Sequence, residues 1–330
     1  MTDEQSTTFT PRHILLLQKG KNLQRQGELF RTRLSAVLPD CVLHLSTGED
    51  RIENADQIDT IITRAFPHLP EVLRECVNCK WLHFLSAGVD KVWDMPIAHS
   101  DYLITKSSGV HSAPISEYAM GAILHFAKCF PEFHIASRTH SWTRQGLSEL
   151  TGQTLCILGL GHIGRALAKR AKAFDMRVVG TRRTPVETEY VDLCVSNGDV
   201  MDLLPEVDYL VVCLPMTPKT RRSVGEKLLS ALKPGATVIS ISRGGIVDEA
   251  ALLKHIDSGH IRGAALDVFE TEPLPSDSPL WDHEKILVTP HLAGSSQHSS
   301  ERSLDLFLKN AVQISRGLAP VTPVSLSEGY

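Results

Sequence analysis

Gly159-Leu160-Gly161-His162-Ile163-Gly164 stands halfway along a chain of 330 residues, directly after the apolar run Leu155-Cys156-Ile157-Leu158. A G-x-G-x-x-G set between a strand and a helix has a definite physical use. It lets the backbone turn tightly, approach a pyrophosphate and offer helix N-terminal N–H groups to that anion. Glycines also punctuate ordinary turns, so the spelling alone does not decide. The surroundings favour the nucleotide reading. Ile163, Ala166, Leu167 and Ala171 recur at helical spacing, and residues 176–180 read as the next strand. Starting this unit near residue 150 leaves a long segment ahead of it that must build something else.

A chain of this length exceeds the usual reach of one hydrophobic core, so two domains are expected. Residues 13–17 and 41–45 read as apolar strands flanking a helical stretch at 23–38. Residues 58–63 and 81–85 read as further buried strands, and 71–79 as a helix. Such alternation implies parallel βαβ units and a first α/β domain over residues 1–110. Residues 108–112 form a loop ending in a helix cap, with Pro114 in the first turn, where its missing N–H costs little. That helix carries Ile115, Ala119, Ala122, Ile123 and Phe126, and Pro131 ends or kinks it. Past the glycine motif, strands at 209–214, 237–242, 264–268 and 286–289 alternate with helices at 227–232 and 248–257. A dinucleotide-binding domain over 111–292, with a doubly wound sheet of about six strands, is the expectation. The amphipathic segment 302–314 has no strand to pair with there and crosses back onto the first domain.

Composition excludes several function classes. A net charge of −4 leaves no basic footprint for nucleic acid. No apolar run approaches the ~20 residues of a membrane span, and residues 1–12 are polar and lack a signal-peptide core. Seven cysteines, an odd number, read as reduced core residues of a cytoplasmic protein. Cys76 and Cys79 form a C-x-x-C, but no second ligand pair at zinc spacing accompanies them. They read as small residues near a helix end, and no metal is expected.

Three segments at predicted strand ends turn nucleotide binding into a reaction. Ser242-Arg243-Gly244-Gly245 places Arg243 where ligands of open α/β sheets sit, able to fork onto a carboxylate. Asp267-Val268-Phe269-Glu270-Thr271-Glu272-Pro273 offers carboxylates, and Thr289-Pro290-His291-Leu292-Ala293-Gly294 offers an imidazole. Singly, Arg243 reads as a loop charge, Glu272 as a helix-start acid and His291 as one of 15 histidines. An Arg, a carboxylate and a His from three strand ends of one sheet converge on a single chemistry.

These residues, with Leu214-Pro215-Met216-Thr217-Pro218-Lys219-Thr220, resemble the D-2-hydroxyacid dehydrogenases, glyoxylate/hydroxypyruvate reductases among them. The resemblance runs from His13 to Ile314 and implies two Rossmann-like domains, the cofactor domain inserted into the substrate domain. Residues 293–330 would then complete the substrate domain. It implies reduction of 2-ketoacids to D-2-hydroxy acids, with Arg243, Glu272 and His291 as the catalytic trio. His291 would protonate the keto oxygen, Glu272 would favour the imidazolium, and Arg243 would bind the carboxylate and polarise the carbonyl. By the same resemblance Gly88 and Val89, in Ser86-Ala87-Gly88-Val89, hold the substrate carboxylate through backbone N–H groups. The cofactor would meet Gly159, Gly161, His162, Ile163, Gly164, Leu214, Pro215, Thr220, Ile241, Ser242, Arg243, His291 and Gly294. Asp267 would accept from the nicotinamide carboxamide. A homodimer through the cofactor domains is implied. Trp142 reads either as a residue near the partner's active site or as core.

One position departs from the NAD pattern. About 20 residues past the glycines, where an acidic residue takes the ribose hydroxyls, this chain has Thr181-Arg182-Arg183. Guanidiniums attract a 2′-phosphate, so NADPH is expected over NADH; a solvated basic patch is the bland alternative. A competing class is the NAD(H)-sensing corepressor resembling the same family, against which the short tail after Ile314 weighs. A formate dehydrogenase is disfavoured, since that branch pairs a glutamine with the histidine.

Overall fold

The computed structural model describes residues 9–20, 22–64, 68–89, 92, 95 and 102–324; residues 1–8 of the polar tail lie outside them. The chain divides into two compact units, Met1–Val110 with Ser296–Tyr330, and His111–Ser295.

In the first unit β1 (His13–Leu17), β2 (Val42–Ser46), β3 (Thr60–Thr63), β4 (Trp81–Phe84) and β5 (Leu103–Lys106) form a parallel sheet in the order β2-β1-β3-β4-β5. Past His13, the strand β1 is apolar and buried because helices cover both faces. On one face Leu15, Leu17, Ile61 and Leu82 meet Val72 and Leu73 of α2 (Leu69–Glu75). On the other, Ile14, Leu16 and Ile62 meet Phe30 and Leu34 of α1 (Asn22–Val37) and Leu304, Phe307 and Leu308 of α8 (Ser299–Ser315). The amphipathic C-terminal segment therefore does belong to this core, where Trp81 stacks on Phe307 with ring centroids 4.6 Å apart.

Under the strand ends of this unit lies a buried polar knot. His83 of β4 sets Nδ1 2.7 Å from Thr105 Oγ1 and Nε2 3.2 Å from Ser107 Oγ, while Trp81 Nε1 donates to Thr105 Oγ1. Burial drives the His83 pKa down to about 3.

In the second unit seven parallel strands run β12-β11-β10-β9-β6-β7-β8. They are β6 (Thr154–Leu158), β7 (Arg177–Thr181), β8 (Leu193–Val195), β9 (Tyr209–Val212), β10 (Ala236–Ser240), β11 (Ile261–Leu266) and β12 (Ile286–Val288). One face packs on α3 (Ser112–Ala127) and α5 (His162–Lys172), the other on α6 (Glu226–Ala231) and α7 (Glu249–Asp257). This is a doubly wound sheet whose strand order reverses between β6 and β9.

Several expectations are corrected. The sheet has a seventh strand, β8, a mere Leu-Cys-Val. β5 was not read either. Pro131 neither kinks nor ends the α3 helix; it sits in the first turn of a second helix, α4 (Phe130–Arg138), where its missing N–H is harmless. Ser112 is the first residue of α3 rather than a cap, and His111 before it makes no side-chain cap bond. Trp142 is 94% exposed, which excludes the core reading. Cys76 and Cys79 are buried at the end of α2, and burial pushes the Cys76 thiol up to about 12 and the Cys79 thiol higher still. Among the described residues no helix is long and apolar enough to cross a membrane.

Candidate active site

The glycine motif turns at the switch point, and each glycine has its own reason. Gly159 has φ +101°, and a Cβ there would stand 2.9 Å from the Cys213 carbonyl oxygen of the neighbouring loop. At Gly164 a Cβ would meet the Gly159 carbonyl oxygen at 2.3 Å, so this position sets how closely the helix rides on the loop. Gly161 needs neither excuse. Its φ is −77°, and a Cβ would meet nothing within 4 Å. The space it leaves adjoins the N-terminus of α5, which has no side-chain cap. The N-terminal N–H groups of a helix beside an open cradle fit a pyrophosphate. His162 and Ile163 open that helix; His162 is exposed and Ile163 half-buried against the core.

Thr181 ties β7 to this loop, accepting from Gly159 N at 3.1 Å and, at its carbonyl, from Leu160 N at 2.8 Å. The half-buried Arg182 and exposed Arg183 follow directly. On the β9 side, Thr220 Oγ1 donates to the Pro215 carbonyl at 2.6 Å and so shapes the loop after Leu214. A cleft of about 380 Å³ opens between these strand ends. Leu158, Val200, Met201, Leu214 and Leu228 give it an apolar floor, and Asn197, Lys219, Thr220 and Lys227 a polar rim. Of these, Leu214 and Thr220 were read from sequence. Asn197, Met201 and Lys227 come from separate segments with no shared motif and were not read; Lys219 stands in the segment 214–220 but was not singled out.

Beyond β10, Arg243 donates to the Ser242 carbonyl at 2.8 Å, while Ser242 Oγ is buried with no hydrogen-bond partner among the described residues. The Ile241 side chain is 4% exposed in the core, so it is the backbone of this residue that is open to a cofactor. Gly244 lies so close to the next loop that a Cβ would stand 1.6 Å from the Phe269 carbonyl oxygen.

Glu272 and His291 are brought together, Oε2 to Nδ1 at 2.8 Å, and Glu272 Oε1 also accepts from Phe269 N at 3.1 Å. No helix starts at Glu272. His291 has φ +51°, a left-handed conformation costly for a non-glycine residue. Asp267 holds it there. Asp267 is 1% exposed and accepts from Leu292 N, Ala293 N and Thr289 Oγ1 at 2.9, 2.8 and 2.6 Å. Thr289 Oγ1 in turn lies 2.8 Å from Tyr118 Oη. Asp267, read from sequence as an acceptor for the nicotinamide carboxamide, also braces the His291 turn from within the protein. Gly294 closes the same turn, its carbonyl 3.0 Å from His111 Nδ1.

Gly88 and Val89 belong to the first unit. Ser86 Oγ donates to the Gly88 carbonyl at 2.8 Å, and the Val89 side chain is buried in that unit's core, so this loop presents backbone. The buried knot lies beneath it, since Ser107 N donates to both the Phe84 and Ser86 carbonyls.

The comparisons with known proteins bear on this arrangement. The chain is 32% identical to a glyoxylate reductase of Thermofilum pendens over 85% of its own length and 87% of the relative's. It is 29% identical to D-3-phosphoglycerate dehydrogenase of Methanocaldococcus jannaschii, and covers 82% of itself but 52% of that protein. This chain thus spans about half the length of the phosphoglycerate dehydrogenases it matches. Among solved structures, a D-isomer specific 2-hydroxyacid dehydrogenase from Xanthobacter autotrophicus Py2 in complex with NADPH and MES superposes with a TM-score of 0.86 at 29% identity. That match covers 98% of this chain and 100% of the other. An NADPH-dependent glyoxylate/hydroxypyruvate reductase from Sinorhizobium meliloti, in complex with NADP and sulfate, gives 0.82 at 25% identity, covering 97% and 100%. Residues 120–293, more than half of the chain and nearly the whole second unit, match the family described as D-isomer specific 2-hydroxyacid dehydrogenase, NAD binding domain. By that match and by the strand-end chemistry it frames, the chain belongs to the D-isomer specific 2-hydroxyacid dehydrogenase family.

Proposed function

We propose that this chain is an NAD(P)-dependent reductase of 2-ketoacids, yielding D-2-hydroxy acids. The observation that carries the reading is the 2.8 Å contact between Glu272 and His291, in the same unit as an uncapped glycine-loop helix. Glu272 accepts a hydrogen bond from Nδ1–H, which leaves Nε2 of His291 to hold and donate the proton the keto oxygen takes up. Arg243 binds the substrate carboxylate through its planar fork and stabilises negative charge developing on the carbonyl. In the first unit, the loop after Ser86 presents the backbone of Gly88 and Val89 for a substrate carboxylate. The second unit is then the dinucleotide-binding domain and the first the substrate domain. Gly159, Gly161, Gly164 and the first turn of α5 hold the pyrophosphate, and the cleft between Leu158 and Lys227 takes the adenosine. Bound nicotinamide supplies the hydride.

The test is a panel of glyoxylate, hydroxypyruvate and longer 2-ketoacids assayed with NADPH and with NADH, with the product's configuration determined. Turnover with D product is expected. Cofactor binding without turnover of any ketoacid would support the corepressor reading instead. A narrower reading, a reductase of glyoxylate or hydroxypyruvate, is favoured by the names of the Thermofilum and Sinorhizobium relatives; dominance of those two substrates in the panel decides it.

Arg182 and Arg183 make NADPH the preferred cofactor in this reading. Arg182 makes no ion pair among the described residues, so its charge is available to a phosphate. Hydrogen bonds to charged groups are worth ~1.5–3 kcal/mol each, so Arg182→Asp should weaken NADPH roughly ten- to a hundredfold and spare NADH. Fluorescence titration of both cofactors reads this directly, and an unmoved ratio removes Arg182 from the phosphate.

A homodimer fits the second unit's surface. Phe130, Ile135, Trp142 and Leu147 are each more than half exposed within one short stretch, an apolar patch suited to a self-complementary contact. Light scattering that gave the mass of one chain would end this proposal. We also place the protein in the cytoplasm on its seven free cysteines, which cell fractionation can check.

A further inference from the structure

The turn that carries Glu272 contains a second carboxylate, Glu270, and two consecutive amides that need acceptors. Phe269 N donates to Glu272 Oε1 at 3.1 Å, and Glu270 N donates to Glu249 Oε1 at 2.6 Å. The Glu270 carboxylate is itself taken, accepting from Arg222 at 3.2 and 3.1 Å. Arg222 also lies 3.9 Å from Asp248, and its N–H donates to the Gly245 carbonyl at 2.8 Å. Glu249 and Arg222 are therefore anchored in or beside the Arg243 loop and both act on the Glu272 turn.

We propose that Glu249 and Arg222 are positioning residues that assign Glu272, rather than Glu270, to His291. The proposal rests on the reaction reading above. Without Glu249, the Glu270 N–H becomes an unmet donor next to the amide that Glu272 already caps. Swinging the Glu272 carboxylate toward it satisfies that amide and draws the carboxylate away from Nδ1 of His291. Without Arg222, the Glu270 carboxylate is released two residues from Glu272, where it competes for the imidazole and repels its neighbour. Glu249 is partly buried among Glu270, Arg222 and Asp248, and burial raises its pKa. Its carboxylate is kept there by the amide it accepts from.

Glu249→Gln retains an acceptor oxygen at the same reach but loses the charge; Glu249→Asp retains the charge but falls short of the amide. Reach is what the proposal needs. Glu249→Asp and Glu249→Ala should lower kcat about tenfold, the worth of one hydrogen bond. Both should leave the KM for NADPH unchanged and move the alkaline fall-off of ketoacid reduction to lower pH. Glu249→Gln should restore both kcat and the profile. The second readout needs no substrate: the His291 ring is titrated by NMR in histidine-labelled protein, its signal assigned by absence in His291→Ala. In Glu249→Asp this titration should move to lower pH, and in Glu249→Gln it should match wild type. Identical His291 titrations in wild type and Glu249→Asp overturn the proposal, as does a Gln variant that behaves like the Asp variant. Wild-type protein that turns over no ketoacid defeats the reaction reading alone, and the NMR comparison still decides the positioning. Should Glu249→Ala not fold, the Asp and Gln pair carries the test.

Discussion

Ketoacid reduction by Glu272→Gln is expected to fail near neutral pH and to recover partly in acid, whereas His291→Ala should be inactive at every pH. Reduction consumes a proton, and in the proposed mechanism His291 is its only donor, so the alanine variant loses the whole general-acid contribution, about 10²–10⁴-fold. Glutamine in place of Glu272 keeps the shape of the 2.8 Å contact with Nδ1 and removes the charge that favours the imidazolium. Reduction should therefore fall away at lower pH than in wild type. His291 and Glu272 are 46% and 36% exposed, so water screens the pair. Rates measured from acid to alkaline pH with saturating NADPH give the comparison. Superimposable profiles would transfer the role from Glu272 to Glu270, the other carboxylate of the turn.

Acid should also weaken the fold itself, through His83 of the first unit. His83 is fully buried, and its folded pKa of about 3 lies far below the ordinary 6.5. The unfolded chain binds this proton first. Stability from His83 is thus fully present above pH 6.5 and drains away as pH falls toward 3. The gap corresponds to about 5 kcal/mol when fully expressed, at ~1.36 kcal/mol per unit. Carboxylates titrate in the lower half of that range, so a difference measurement isolates the histidine. Urea unfolding of wild type and His83→Gln from pH 7.5 to 4.5 should show wild type losing stability faster, with the gap between them shrinking as pH falls. Parallel loss would mean that His83 takes up its proton without unfolding.

Much of the fold and of the candidate site could be read because both rest on local patterns. The apolar runs of β1, β6 and β9 are strands buried on both faces, and the glycine motif lies between a strand and a helix. Arg243, Glu272 and His291 each follow a strand, so a periodic reading alone places them at one edge of a sheet. β8 escaped because three residues carry no period, and Leu193 in it is 39% exposed. Pro131 was misread since a proline that ends one helix and a proline that starts the next look alike without the backbone between them. What braces His291 was also out of reach. Tyr118, Thr289 and Asp267 join across 171 and 22 residues of sequence, and Glu249 meets Glu270 across 21. Such bonds exist only once the sheet has brought its strand ends side by side.

The interrupted first unit sets an order of assembly on the ribosome. All residues of the second unit, His111–Ser295, have been synthesised before α8 exists. Until α8 emerges, the sheet face of Ile14, Leu16, Ile62 and Trp81 lacks Leu304, Phe307 and Leu308. The unit translated first is therefore the last to be complete. Its half-covered apolar face is the surface on which a holdase chaperone would act during translation, and on which a chain cut before Phe307 would aggregate.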